Sequence, residues 1–181
     1  MRPPYRLLEH TSDIKVEIYG ANLAELFTNA ASCLFDLILD RTKVRETVSQ
    51  KVYLEAEALP ELFLDWLREL LFLFSTRSLA IRRVEITSIV PSCMPSAADS
   101  SSTSGVQSVE SADTLSGSGT PSASSASSAV TSGYRIEAEV FGEEFDAERH
   151  GLKVEVKTPT YHEYRVEKTD DGYRATVILD V

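Results

Sequence analysis

Cysteine is scarce in this chain, positive charge is outnumbered, and no apolar run is long enough to cross a bilayer. The two cysteines, Cys33 and Cys93, offer neither a disulfide framework nor zinc-ligand spacing. Cys33 falls on the apolar side of a helical pattern and Cys93 in a floppy, polar stretch, so no bridge is expected and a reducing compartment fits. Lys and Arg number 18 against 28 Asp and Glu, a net charge of -10. Gripping phosphate backbones requires clustered cations, so strong direct nucleic-acid binding is not expected. An acidic surface suits docking onto a basic partner instead. The opening MRPPYRLLEH lacks the apolar core of a secretory signal, and with no membrane-spanning run the expected location is the cytoplasm, the nucleus or both. Also missing are a nucleophile elbow, a paired-histidine zinc helix and a phosphate-binding loop. Gly117-Ser118-Gly119 has neither the preceding strand nor the following helix that a phosphate loop needs.

What is present suffices for one domain: 181 residues, 43% hydrophobic, can bury a sizeable core. Period-two alternation predicts strands at Tyr5 to Glu9, Ile14 to Tyr19, Val48 to Ala58 and Ile81 to Val90. It returns at Tyr134 to Phe141, Lys153 to Thr158, Thr160 to Lys168 and Tyr173 to Val181, with His162, Tyr164 and Val166 expected on one face. Asp170-Asp171-Gly172 supplies a tight hairpin between the last two. Asn22 followed by Glu25 caps a helix carrying Leu23, Leu26, Phe27, Ala30, Ala31 and Leu34 at helical spacing and ending near Asp40-Arg41. A second helix, Glu61 to Phe74, starts after Pro60 and is apolar nearly all round. Such a helix is the spine of the domain or one side of an interface. Glu143 to His150 reads as a turn and a short helical segment.

Composition changes abruptly at Pro91. From there to Gly133 the chain is mostly Ser, Ala, Thr and Gly, has no Lys or Arg, and carries only Asp99, Glu110 and Asp113 as charges. Such a segment cannot bury enough apolar surface to offset its ordering entropy. It is expected to be a disordered insertion at the tip of a hairpin formed by Val84 to Val90 and Tyr134 to Phe141. The expected fold is therefore α+β: a mostly antiparallel sheet packed by two main helices, one domain made of residues 1–90 and 134–181, interrupted by 91–133.

Two polar spots stand out. The last strand pattern runs into Asp180-Val181, where a side-chain carboxylate and the main-chain carboxylate lie within two residues of each other. Their repulsion is relieved by a proton, a basic partner or a hard cation, although a solvated strand end is the plainer reading. Between the first two strands, His10-Thr11-Ser12-Asp13 either presents histidine and aspartate at a sheet end or is simply a self-bonded turn.

Five blocks then go beyond periodicity: YRLLEHTSD at Tyr5 to Asp13, WLRELL at Trp66 to Leu71, GEEFDAERH at Gly142 to His150, EVKTPTYH at Glu155 to His162, and VILDV at Val177 to Val181. In this order they resemble the archease family across essentially the whole folded part. That resemblance implies a small protein, not itself an enzyme, that activates the GTP- and manganese-dependent RNA ligase of tRNA splicing, promoting ligase guanylylation and multiple turnover. It further implies a site for calcium, magnesium or manganese formed by Asp13, Asp180 and Val181. His10, Lys157 and His162 fall in the same blocks and belong either to the docking face or around the metal ligands, or else to loop and sheet. His150, beside Arg149, either meets a partner or ends a helical turn. The chain departs from the family pattern in the insertion, in Ser12 where alanine is frequent, and in Pro159 where alanine is usual. Pro159 predicts an edge position or a bulge. Two other classes compete: a general chaperone or scaffold using an exposed apolar surface around Trp66 to Phe74, and a metal-dependent hydrolase using the histidines as base.

Overall fold

The computed structural model describes residues 3–8, 13–94 and 131–181. In chain order the elements are β1 (Tyr5–Leu8), β2 (Ile14–Gly20), α1 (Leu23–Ile38), a 3-10 turn (Arg41–Lys43), β3 (Val48–Ala56) and α2 (Leu59–Arg77). Then come β4 (Leu79–Met94), β5 (Thr131–Glu144), α3 (Ala147–His150), β6 (Thr158–Thr169) and β7 (Gly172–Asp180). The fold is α+β, and its antiparallel strands divide into two sheets, ordered β1-β2-β7-β6 and β3-β5-β4.

The helices form where the sequence spacing placed them, for visible local reasons. Asn22 accepts the Glu25 amide at 2.9 Å, and the Glu25 carboxylate returns to the Ala21 amide at 2.9 Å, so the first turn of α1 is capped from both directions. Pro60 lies in the first turn of α2, where no amide donor is needed. The apolar faces of both helices are then buried between the sheets. α1 packs on β2 and β7 of one sheet and on β4 of the other, and α2 packs on β6 of the first and on all three strands of the second.

The centre of that core is aromatic. Phe27 of α1 meets Phe63 of α2 edge-on at 5.1 Å, and Trp66 at 6.3 Å. The indole N–H of Trp66 donates to the Phe27 carbonyl at 3.1 Å, so even its polar atom is satisfied inside. Leu62, Phe63, Leu64, Trp66, Leu67 and Leu70 are all buried, which makes α2 the spine of the domain; Phe72 is its one large exposed apolar side chain, at 51%. Cys33 is buried in the same core, and burial pushes its thiol up to about 12, which removes thiolate reactivity.

Gly142 and Gly172 are needed for close approach. A Cβ at Gly142 would lie 1.9 Å from the Ala80 carbonyl oxygen, beside the bulge at Ile81/Arg83 where β4 meets β5. Gly172, at φ 133°, follows the two-residue turn Asp170-Asp171, and a Cβ there would lie 2.3 Å from the Gly20 carbonyl oxygen.

Three expectations change. Lys153 to Thr158 is irregular up to Thr158, where β6 begins. Its alternation is nevertheless real: Val154 and Val156 turn inward while Lys153, Glu155 and Lys157 are exposed. The backbone is held by single hydrogen bonds instead of a ladder, from Lys153 N to Ile38 O at 2.8 Å and from Lys157 N to Asp180 O at 2.9 Å. His162 does not share a face with Tyr164 and Val166, because a register shift between Thr160 and Arg165, with Glu163 at φ 50°, breaks the period. That shift lies on the sheet's edge strand, just beyond Pro159, which is the irregularity proline called for. Finally, β4 and β5 pair beyond Val90 and before Tyr134, as far as Met94 opposite Thr131, with Cys93 opposite Ser132. Most of the Ser/Ala/Thr-rich stretch, 95–130, lies outside the described residues.

Replacing Trp66 with alanine removes the largest fully buried side chain. Denaturant unfolding is expected to show a loss of about 3–5 kcal/mol.

Candidate metal centre

The site is built by register. β2 and β7 run antiparallel with Ile14 opposite Leu179, Val16 opposite Val177 and Ile18 opposite Ala175. Val16, Ile18, Ala175, Val177 and Leu179 are all buried, so a one-residue slip would turn this whole set outward. With that register fixed, Asp13, which precedes Ile14, faces Asp180, which follows Leu179. The start of β2 and the end of the last strand thus meet at one corner of the sheet.

A third segment joins them. Thr158 is the ladder partner of Asp180, and the Lys157 amide donates to the Asp180 carbonyl. The Lys157 ammonium donates to the main-chain oxygen of Val181 at 2.9 Å. Asp13, Asp180 and Val181 are half-buried and Lys157 is exposed. The corner therefore carries hard oxygen groups from two strands with one ammonium beside them.

These donors fit a hard cation. Among the described residues, no three His, Cys, Asp or Glu side chains cluster so as to hold a metal. Asp13 and Asp180 supply two side-chain carboxylates here, and the third group is the main-chain oxygen of Val181 that accepts from Lys157. Such an all-oxygen set suits calcium, magnesium or manganese and disfavours soft metals.

The remaining candidates separate. His10 lies outside the described residues. His162 sits on the β6 bulge with its side chain 73% exposed, its ring 3.8 Å from Glu163. Of the two that are described, Lys157 is the one the structure brings to the corner. His150 is fully buried and so is not available to a partner.

His150 belongs to a cluster that sequence reasoning missed. The Asp146 amide donates to its Nδ1 at 3.0 Å, which leaves Nε2 to carry a ring proton. Nε2 lies 3.0 Å from Glu143 Oε1 and donates to it. The same oxygen accepts the Arg45 amide at 2.7 Å, and Arg149 pairs with the other carboxylate oxygen at 2.8 Å. Burial works against the charge on Glu143, yet the Arg45 amide, His150 and Arg149 outweigh it and hold the carboxyl below its ordinary range. The cluster clamps the end of β5 to the loop after α1. Its signal in the sequence was the spacing of Glu143, Arg149 and His150 in one block; the amide of Arg45, far away in the chain, gave none.

A second clamp secures β1. The Tyr5 hydroxyl donates to Asp36 Oδ2 at 2.9 Å, and Arg41 grips the same carboxylate through Nε at 2.9 Å and Nη2 at 3.2 Å. Burial, then donation to Asp36, pushes the Tyr5 phenol up to about 12. The hairpin that presents Asp13 is thereby pinned to α1.

Beside the corner, a groove of about 540 Å³ runs between α2 and residues 155–159, with Arg68, Phe72 and Lys157 among its lining. Arg68 stacks its guanidinium 5.0 Å from the centre of the exposed Tyr161 ring. Among the described residues no helix is long and apolar enough to cross a membrane.

A model of the Archease protein family matches residues 5–181. The protein archease of Archaeoglobus fulgidus is 33% identical, over 98% of this chain and 98% of its own length. That of Methanosarcina acetivorans is 30% identical, over 98% and 95%. The solution structure of Methanobacterium thermoautotrophicum protein 1598 shares the fold, with a TM-score of 0.66 at 24% identity over 98% of this chain and 99% of that one.

The depressed Glu143 carboxyl sets a pH dependence. Its stabilisation is fully present above the ordinary glutamate value near 4.5 and is lost as pH falls through the lower folded value. Thermal melts from neutral to acid pH are expected to fall less steeply for Glu143→Gln than for the wild type, from a lower starting point at neutral pH.

Proposed function

This chain belongs to the archease protein family, and on that premise we propose that it is a metal-binding accessory protein that activates the GTP- and manganese-dependent RNA ligase of tRNA splicing. It promotes guanylylation of the ligase and repeated turnover, and does not join RNA itself. The observation that best supports this reading is the β2–β7 register, which sets Asp13 against Asp180-Val181.

Asp13, Asp180 and the Val181 carboxylate would hold a calcium, magnesium or manganese ion. A bound ion supplies concentrated positive charge to an otherwise anionic corner and a point at which oxygen groups of a partner can be met. The chain's own part is placement. Two carboxylates are presented from neighbouring strands of a sheet whose register is locked by the core, so the site keeps its shape when a partner arrives. The net charge of -10 suits an encounter with a basic, nucleotide-binding cleft. The work would be done in the cytoplasm or the nucleus.

Competing readings lose their footing in particular residues. The chaperone reading needs an exposed apolar face around Trp66 to Phe74, but Trp66, Leu67, Leu70, Leu71 and Leu73 are buried. The hydrolase reading needs a histidine free to act as base; among the described residues His150 is buried and bonded and His162 projects from the β6 bulge, while His10 lies outside them.

The test is ligase guanylylation and multiple-turnover joining of RNA bearing a 2',3'-cyclic phosphate, with the cognate ligase. Wild-type protein is expected to stimulate both. Asp13→Ala, Asp180→Ala and a chain extended beyond Val181 are expected to melt cooperatively yet stimulate neither. Stimulation surviving in all three folded variants would move the activity to another surface.

A further inference from the structure

We infer that Lys157 is the resident cation of the carboxylate corner, holding its place until a divalent ion binds and leaving when it does. The inference rests on the reading that Asp13, Asp180 and Val181 hold that ion. It concerns what occupies the corner beforehand and what the exchange does to the surface.

The contact is specific. Lys157 Nζ lies 2.9 Å from the Val181 main-chain oxygen, while its own amide is fixed to the Asp180 carbonyl and its neighbour Thr158 is laddered to Asp180. The backbone of Lys157 therefore cannot drift from the corner. Only the exposed side chain is free to move, and its four-carbon stem gives the ammonium a long reach.

Charge decides the exchange. Asp13, Asp180 and the Val181 carboxylate crowd negative groups at one sheet corner, and a single ammonium answers only part of that charge. A divalent ion answers more of it and bonds oxygen directly. Two positive centres within a few ångströms repel, so ion binding disfavours Lys157 in its present place. The displaced side chain has somewhere to go. Lys157 also lines the groove against α2, where Leu71 and Phe72 offer apolar surface for its stem. Glu155, also lining that groove and exposed on the same side of the extended segment, offers a carboxylate for its head. Loading the corner would thus carry a positive charge from the strand end into the groove, so that the two states present different surfaces to a partner.

The alternative role for Lys157 is a support that orients the Val181 carboxylate for the ion. The two roles predict opposite signs. If Lys157 competes, removing its charge tightens ion binding; if it supports, removal weakens it.

The experiment is calorimetric titration of the full chain with calcium and with manganese, alongside thermal melts in excess chelator and in saturating ion. Wild type, Lys157→Gln, Lys157→Arg and Asp180→Ala would be compared. Lys157→Gln is expected to bind either ion about fivefold more tightly, the scale of an exposed ion pair, and Lys157→Arg close to wild type. In chelator Lys157→Gln is expected to melt below wild type, and in saturating ion the gap is expected to close. Equal or weaker ion binding by Lys157→Gln, with wild type binding and Asp180→Ala not binding, overturns the exchange and leaves the metal site standing. No binding by the wild type overturns both.

Discussion

The antiparallel register of β2 on β7 is the constraint on which the rest depends. Ile14 opposite Leu179 and Val16 opposite Val177 bring together two ends of the chain that are remote in sequence, and the burial of their inward side chains makes any other register costly. The lysine contact rests on the β6–β7 ladder, while the meeting of Asp13 with the end of β7 depends on this β2–β7 pairing. Both main helices serve that pairing, since α1 lies on β2 and β7 while α2 reaches the same sheet through β6. The aromatic contact of Phe27 with Phe63 and Trp66 joins those helices to each other.

The molecule places acidic groups in two opposite ways. Glu143 is enclosed, and every direction around it is answered: an amide, an imidazole N–H and a guanidinium. Such a carboxylate is a structural tie, and it has nothing left to offer a ligand. Asp13, Asp180 and Val181 instead stand half open at a strand end, with the exposed Lys157 ammonium on the Val181 main-chain oxygen. Open oxygen groups of this kind remain available to a ligand.

Much of this was legible in the sequence, because periodicity reports burial directly. The capped α1, the apolar α2, the two arms of the β4–β5 hairpin and the Asp170-Asp171 turn all follow from local pattern. Lys153 to Thr158 shows the limit of that reading. Valines alternating with charges do point Val154 and Val156 inward, but alternation does not say whether a neighbouring strand is there to pair. The bulge that exposes His162 was signalled only by Pro159, and its extent depends on how β6 meets β7 in space. Division of the strands into two sheets, and the Arg45 amide on Glu143, are long-range facts with no local trace. Family likeness singled out Asp13, Asp180 and Val181 as candidates; the contact between Lys157 and Val181 left no local trace, because it joins segments on different elements.

The β4–β5 ladder, paired from Leu79 opposite Glu144 out to Met94 opposite Thr131, has a consequence for how this chain tolerates growth. Once the two arms are zipped, the chain joining them is a loop whose ends are already held together. The entropic cost of closing such a loop rises only with the logarithm of its length, by about 0.6 kcal/mol for each doubling. A connection at that tip can therefore lengthen or shorten across generations at little expense to the hairpin.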